Sequence, residues 1–436
     1  MLKVSWAGLS LSEKNSILSR GSGRENDNSL SNIVSAIINN VKANGDSALY
    51  EYSQKFDGVK LDSLLVTKEE YLAADSLEQH YKDAIIKAYE NISHYHNISK
   101  PKEFSYTKDG IVLGKIYRPI ENVGLYIPGG TATLVSTLMM LAIPAKIAGC
   151  EDKILVTPPM KDGSVAPAIL FAANLCGIDK IYKVGGAQAI AALSYGTESI
   201  PKVHKIFGPG NKYVTEAKLQ ISVAKSMTAI DMPAGPSEVL VIADTNAIPE
   251  FVASDLLAQA EHDIDAHVVL VTPDQDLADK VLSHVLIQKN QLSRSEIIDK
   301  SLAKSVVVIA KDIDECFKIS NTYAPEHLIL HLDNAMDYLK QVKNAGSVFI
   351  GKWSPESAGD YSSGTNHVLP TYGYANMYSG LDVIGFMKSI SFQELSSQGL
   401  KRLGPSIESL AILEGLDAHK NAVSIRLDHL IKVENV

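Results

Sequence analysis

From about Val123 onward the chain alternates short β-type runs with alanine-rich helical stretches, and this alternation limits the fold more than any other feature. The runs cover residues 123–127, 153–157, 180–184, 205–207, 238–243, 268–272, 306–310, 328–332 and 347–350. Strand, helix, strand repetition predicts βαβ units, hence mostly parallel sheets covered by helices. Nine strands are enough for two sheets, and 436 residues are too many for one ordinary core. The expected class is α/β: two Rossmann-like parallel-sheet domains with a small N-terminal arm and a helical C-terminal tail domain.

The rest of the chain fills in this outline. Residues 32–52 place Ile33, Ile37, Ile38 and Val41 at helical spacing, and residues 77–98 do so with Leu77, Tyr81, Ile85 and Tyr89. The polar stretch 21–28 breaks the pattern, so residues 1–20 are expected to be an arm outside the core. Prolines and a glycine at 232–236 suit a crossing between domains, and beyond Gly380 the pattern is helical again. The expected division is residues 1–25 as arm, 26–125 with 239–378 as one discontinuous domain, 126–238 as the second, and 379–436 as tail.

Composition excludes several function classes. With 45% hydrophobic and 21% charged residues the chain is built to fold. The net charge of −9 comes without a basic cluster, which argues against nucleic acid or anionic membrane as a partner. Residues 1–20 carry Lys3, Glu13 and Lys14 and do not read as a secretory signal. The most apolar run, 134–150, is interrupted by Pro144 and Lys146 and is too short to span a bilayer. Cys150, Cys176 and Cys316 are odd in number, widely spaced and outside any Cys-x-x-Cys pair. They suit packing residues in a reducing cytoplasm.

Four polar segments stand against apolar stretches: Gln259-Ala-Glu-His262, Pro325-Glu326-His327, Gly359-Asp360-Tyr361 and Glu414-Gly-Leu-Asp-Ala-His419. They offer the imidazole, carboxylate and amide groups that suit a borderline divalent metal such as zinc. Gln259 and His262, three apart on a helical segment, share a face, while Glu261 points elsewhere. A histidine on such a helix is also an ordinary structural residue; Asp360 and His419 favour the ligand reading because they complete a mixed nitrogen and oxygen set. Glu326-His327 offers a general base and a carboxyl group able to activate water, or else a simple turn pair. Asn366-His367 suits a site or a turn cap, and His94 and His96 lie in a polar helical stretch, where they are expected to be solvated.

Strand ends also run into glycine turns at Pro128-Gly-Gly130, Gly185-Gly186 and Gly208-Pro-Gly210. Such turns let backbone approach a dinucleotide, or serve only as tight βα connections; the G-x-G-x-x-G fingerprint is absent. Tyr126, Gln188 and Asn211 sit at these loops with groups that can bond a ribose or amide. Ser237, at a strand start, can bind substrate. No H-E-x-x-H, Walker A or G-x-S-x-G motif occurs.

Taken together these segments resemble the histidinol dehydrogenase family. The matching stretches are Val-Gly-Leu-Tyr-Ile-Pro-Gly-Gly (123–130), Val-Gly-Gly-Ala-Gln-Ala-Ile-Ala-Ala-Leu (184–193), Ile-Phe-Gly-Pro-Gly-Asn (206–211) and Asp-Met-Pro-Ala-Gly-Pro-Ser-Glu (231–238). They continue with Asp-Leu-Leu-Ala-Gln-Ala-Glu-His (255–262), Ala-Pro-Glu-His-Leu (324–328), Ser-Ala-Gly-Asp-Tyr (357–361), Gly-Thr-Asn-His-Val-Leu-Pro-Thr (364–371) and Glu-Gly-Leu-Asp-Ala-His (414–419). Order and spacing agree from about residue 30 to the C-terminus, with a departure at residues 131–135.

The resemblance implies oxidation of L-histidinol to L-histidine with two NAD, through bound histidinaldehyde, in the last step of histidine biosynthesis. It implies one zinc per subunit on Gln259, His262, Asp360 and His419, an acid–base pair of Glu326 and His327, and NAD contacts from Tyr126, Gln188 and Asn211. Ser237 and Glu414 would line the substrate pocket with the acid–base pair and the metal ligands. A homodimer is implied too, the C-terminal tail completing the partner's site. Rival chemistries are a cysteine-dependent aldehyde dehydrogenase using Cys150 or Cys176, a zinc hydrolase using Glu326, and a non-catalytic scaffold.

Overall fold

The computed structural model describes every residue except 21–27, 130–132, 225, 233–234 and 435–436. The polar break, the tip of the first glycine loop and part of the expected domain crossing therefore lie outside the described residues. Fourteen strands are described: β1 (Leu2–Ser5), β2 (Phe104–Lys108), β3 (Ile111–Pro119), β4 (Asn122–Tyr126), β5 (Asp152–Thr157), β6 (Lys180–Lys183) and β7 (Lys205–Phe207). The others are β8 (Ala229–Ile230), β9 (Glu238–Ala243), β10 (His267–Thr272), β11 (Val306–Ile309), β12 (His327–His331), β13 (Ser347–Ile350) and β14 (Met387–Leu395). All nine expected runs form strands, with ends displaced by no more than one residue.

Two sheets are wholly parallel. One has the order β6-β5-β4-β7-β8 and the other β1-β11-β10-β9-β12-β13. The strand order reverses between β4 and β7 in the first and, among β9 to β13, between β9 and β12 in the second, and each reversal creates a topological switch point. The chain divides into two units, Met1–Ser99 with Ile120–Phe386 and Lys100–Pro119 with Met387–Val436. Both parallel sheets belong to the first.

The larger sheet shows why its runs read as continuous apolar sequence. Val239, Val241, Val268, Leu270 and Ile329 pack into one core, while Leu240, Ile242, Val269, Val271, Leu328 and Leu330 pack into another. Alternate residues point to opposite faces of a strand, so a sheet covered on both faces must be apolar throughout.

Four expectations need correction. Residues 1–20 are not an arm outside the core: β1 pairs in parallel with β11, and Trp6 and Leu18 are buried in the core. The exposed edge of β11 needs a hydrogen-bonding partner, and β1 supplies it. On the helix Gln79–Ser99 the buried face is Ile85, Ala88, Ile92 and His96, whereas Tyr81 is exposed. His96 is thus fully buried rather than solvated, its Nδ1 3.4 Å from Asp382 Oδ1 and its Nε2 3.4 Å from Asn366 Nδ2. On the helix Asn28–Tyr52, Ile37, Ile38 and Val41 are buried as expected but Ile33 is exposed, and Val34 takes its place.

The apolar run near 134–150 becomes the buried helix Val135–Ala148. Pro144 has no N–H to give the carbonyl of Met140, four residues earlier. Asn366 Nδ2 fills that gap, donating to Met140 O at 2.7 Å.

In the second unit β2, β3 and β14 form an antiparallel sheet, followed by the helices Ser397–Leu413 and Asp417–Glu434. The tail was expected to be helical, and β14 is an addition to it. Asp109 and Gly110, both at positive φ, make the two-residue turn between β2 and β3.

Candidate active site

Residues from three elements meet at the amino ends of β9 and β12, beside the switch point. The helix Pro249–Ala260 carries fully buried Gln259 in its last turn, and His262 follows just past its end. Pro325, Glu326 and the first residue of β12 place Glu326 and His327, both buried. The short helix Glu356–Tyr361 presents Glu356 and Asp360 four residues apart, hence on one face.

Ligand-type atoms of His262, Glu356 and Asp360 all lie within 4.8 Å of one another. His327 Nε2 is 3.4 Å from Asp360 Oδ1. Its Nδ1 lies 3.1 Å from the carbonyl of Glu238 and 3.4 Å from Gln259 Nε2. The nearer carbonyl takes the Nδ1 proton, so Nε2 is the basic nitrogen, and it is buried facing Asp360 Oδ1. Glu326 Oε2 accepts the N–H of Glu238 at 2.8 Å and lies 3.6 Å from His327 Nδ1.

Sequence reasoning missed Glu356. Its side chain is buried and neither oxygen has a hydrogen-bonding partner among the described residues. The available signal was its spacing from Asp360, since two carboxylates four apart on a helix share one face.

The electrostatics follow from crowding acids together out of water. Burial pushes Glu326 up to about 8, against the pull of His327 and the Glu238 N–H. Burial also holds Glu356 well above the usual carboxylate range. At His327 burial disfavours the charged ring, but Glu356, Glu326 and Asp360 outweigh it and hold the imidazole well above its ordinary value. Burial raises Asp360 less than His327, His367 and His262 lower it. His262 is lowered by desolvation, which keeps it neutral and able to bind a cation.

Such a set is loaded with protons and short of positive charge. Among the described residues, Gln259 Oε1 and both Glu356 oxygens are buried acceptors without donors. A divalent cation satisfies that demand and displaces the protons, and mixed imidazole, amide and carboxylate donors fit zinc.

The other expected residues are placed differently. His367 Nδ1 lies 2.8 Å from the carbonyl of Asp360 and its Nε2 3.2 Å from Thr137 Oγ1, so it supports the helix that carries Asp360. Ser237 immediately precedes β9, and its carbonyl accepts the N–H of His267. Glu414 and His419 stand in the second unit, at the end of the helix Ser397–Leu413 and on the helix Asp417–Glu434; both are exposed.

At the carboxyl ends of the smaller sheet, Tyr126 closes β4 and its hydroxyl accepts the N–H of Gly186 at 3.2 Å. Gln188 is buried in the first turn of the helix Gly186–Tyr195, next to that contact. Gly208 follows β7 at a φ of 126°, and a Cβ there would stand 2.1 Å from the Tyr126 carbonyl. Only glycine lets these two strand ends meet at the switch point. Asn211 caps the helix Lys212–Val223, its Oδ1 accepting from Tyr213 and Val214, which leaves only its amide N–H groups for a ligand.

All three cysteines are buried, and burial pushes the thiols of Cys150, Cys176 and Cys316 up to about 11, 12 and 12. They are packing residues, unsuited to nucleophilic chemistry.

A family model described as histidinol dehydrogenase matches residues 21–427. A histidinol dehydrogenase of Vibrio vulnificus (strain CMCP6) is 51% identical over 432 residues, covering 99% of each chain. One from Mannheimia succiniciproducens is 53% identical over 429 residues, covering 98% of this chain and 99% of its own. The crystal structure of the enzyme from Elizabethkingia anophelis superimposes with a TM-score of 0.95 at 47% identity, covering 99% of this chain and 98% of that one.

Proposed function

Because the chain belongs to the histidinol dehydrogenase family, we propose that it oxidises L-histidinol to L-histidine through bound histidinaldehyde, as the last step of histidine biosynthesis. Two NAD are consumed, and each subunit uses one zinc ion. The observation that carries this reading is the buried Nε2 of His327, 3.4 Å from Asp360 Oδ1, beside the metal-type cluster of His262, Glu356 and Asp360.

Gln259, His262 and Asp360 would hold the zinc, with His419 of the partner subunit completing the set. When bound, the ion supplies positive charge that anchors the imidazole and amine of histidinol. His327 Nε2 takes the hydroxyl proton as hydride leaves the carbinol carbon for NAD. Its tautomer is held by the bond from Nδ1 to the Glu238 carbonyl. Glu326, held by the Glu238 N–H, then takes a proton from the water that adds to the aldehyde, while His327 returns its proton to the aldehyde oxygen, giving the hydrate. His327 accepts a second hydroxyl proton as hydride leaves the hydrate, and the carboxylate forms.

Tyr126, Gln188 and Asn211 would contact NAD at the carboxyl-end crevice of the smaller sheet. Ser237 and Glu414 would line the substrate pocket. The homodimer reading is supported by exposed apolar side chains around Glu414 in the second unit: Leu410, Ile412, Leu413 and Leu416. A second copy would cover them and bring Glu414 and His419 to its partner's site. A cytoplasmic location fits the three unpaired buried cysteines.

The test is NADH formation from histidinol with and without a chelator, alongside zinc analysis of His262→Asn. The reading expects activity that chelation abolishes and readdition of zinc restores, and a folded variant depleted of metal. Turnover without NAD, or full zinc occupancy in His262→Asn, would contradict it.

A further inference from the structure

We infer that Arg20 and Glu238 form a positioning pair that sets the geometry of the Glu326–His327 acid–base pair. The inference rests on the histidinol dehydrogenase reading above. Glu238 brackets both groups with one residue's backbone: its N–H donates to Glu326 Oε2 at 2.8 Å, and its carbonyl accepts from His327 Nδ1 at 3.1 Å. A shift of this single residue therefore moves the carboxyl group and changes the imidazole's orientation together.

Glu238 is itself clamped. Its buried carboxylate lies against Arg20, with Nε 2.6 Å from Oε1 and Nη2 2.8 Å from Oε2, and Oε1 accepts the N–H of Tyr372 at 2.5 Å. The same Nη2 donates to the carbonyls of Tyr323 and Ala324, at 2.5 and 3.3 Å. The guanidinium carbon sits 3.7 Å over the Tyr323 ring. Residues 323–324 lead directly into Glu326 and His327, and Ala324 is at a φ of 52°, a left-handed turn that needs outside support. Arg20 thus ties together the entries of the two strands flanking the switch point. A planar fork satisfies a carboxylate and neighbouring carbonyls together, which a lysine ammonium does less well.

The experiment compares wild type, Arg20→Ala and Arg20→Lys as zinc-loaded holoenzymes, measuring kcat, KM for histidinol, zinc content and the effect of added guanidinium. In Arg20→Ala kcat falls roughly 10- to 100-fold, as expected for ångström-scale misplacement of reacting groups. KM and zinc content stay within about two-fold of wild type, and guanidinium restores part of kcat. Arg20→Lys falls between the two. Wild-type kcat in Arg20→Ala overturns the inference, as does a loss that guanidinium does not relieve. If Arg20→Ala does not fold, Arg20→Lys decides: a lowered kcat at unchanged KM and zinc content supports the pair, and wild-type kcat overturns it. A wild-type protein inert toward histidinol would instead refute the functional reading.

Discussion

Asn366→Ala probes how the site-bearing loop is fastened to the core. The carbonyl of Met140 has no helical donor because Pro144 lacks an N–H, and Asn366 Nδ2 supplies one at 2.7 Å. Asn366 Oδ1 accepts the N–H of Val368 at 2.9 Å, and both residues are buried. The substitution strands two buried acceptors, Met140 O and His96 Nε2, and one buried donor, each worth about 1–3 kcal/mol, so the expected loss is at least about 3 kcal/mol. Pro144→Ala restores the missing N–H. In that background Asn366→Ala should cost less, with a coupling of about 1–2 kcal/mol in a double-mutant cycle. Urea unfolding of the four proteins measures it. Effects that add to within about 0.5 kcal/mol would refute the reasoning.

Three further outcomes are expected. His327→Asn keeps its zinc but lowers turnover roughly 10²–10⁴-fold, and near-normal turnover in the zinc-loaded variant would deny the ring its role in proton transfer. Glu356→Gln replaces a buried carboxylate that has no donor, so the metal-free protein should melt higher while the zinc affinity falls. Unchanged melting and unchanged affinity together would remove Glu356 from the site. His267 is buried with Nδ1 2.7 Å from Tyr323 Oη and Nε2 3.1 Å from Lys304 O, and burial first, then Arg20, pushes it down to about 4 from 6.5. The unfolded chain binds the proton more readily, so stability is full above pH 6.5 and declines as pH falls toward 4, by about 3 kcal/mol. Denaturation curves of wild type and His267→Gln should converge or cross over that interval, and parallel pH dependence would count against this origin.

Much of the fold was legible because the parallel strands are buried on both faces and read as unbroken apolar runs. What escaped notice obeys local rules but buries little. Strand β1 is a short edge of four residues, and β14 is exposed along most of its length. The hairpin of β2 and β3 did carry a signal in Asp109-Gly110, the dipeptide that suits a two-residue turn. The buried face of the helix Gln79–Ser99 was misjudged because tyrosines suggested it, whereas His96 is buried by partners nearly three hundred residues away, Asn366 and Asp382. Gln259, His262, Glu326, His327 and Asp360, which the structure brings together, were singled out as candidates from residue type and spacing. Glu356 was hidden in Ser-Pro-Glu-Ser, which reads as a surface turn until the fold buries it against His262 and Asp360. Glu238 was passed over because its contribution to the pair comes from its backbone, which no side-chain pattern reveals.

The central claim is that one anchored amino alcohol is oxidised twice before it leaves. Counting NADH formed for each histidinol consumed, with a trap for free aldehyde present, tests it in a single assay. Two NADH per molecule, histidine as the product and an empty trap are predicted; one NADH with aldehyde captured from solution would contradict it.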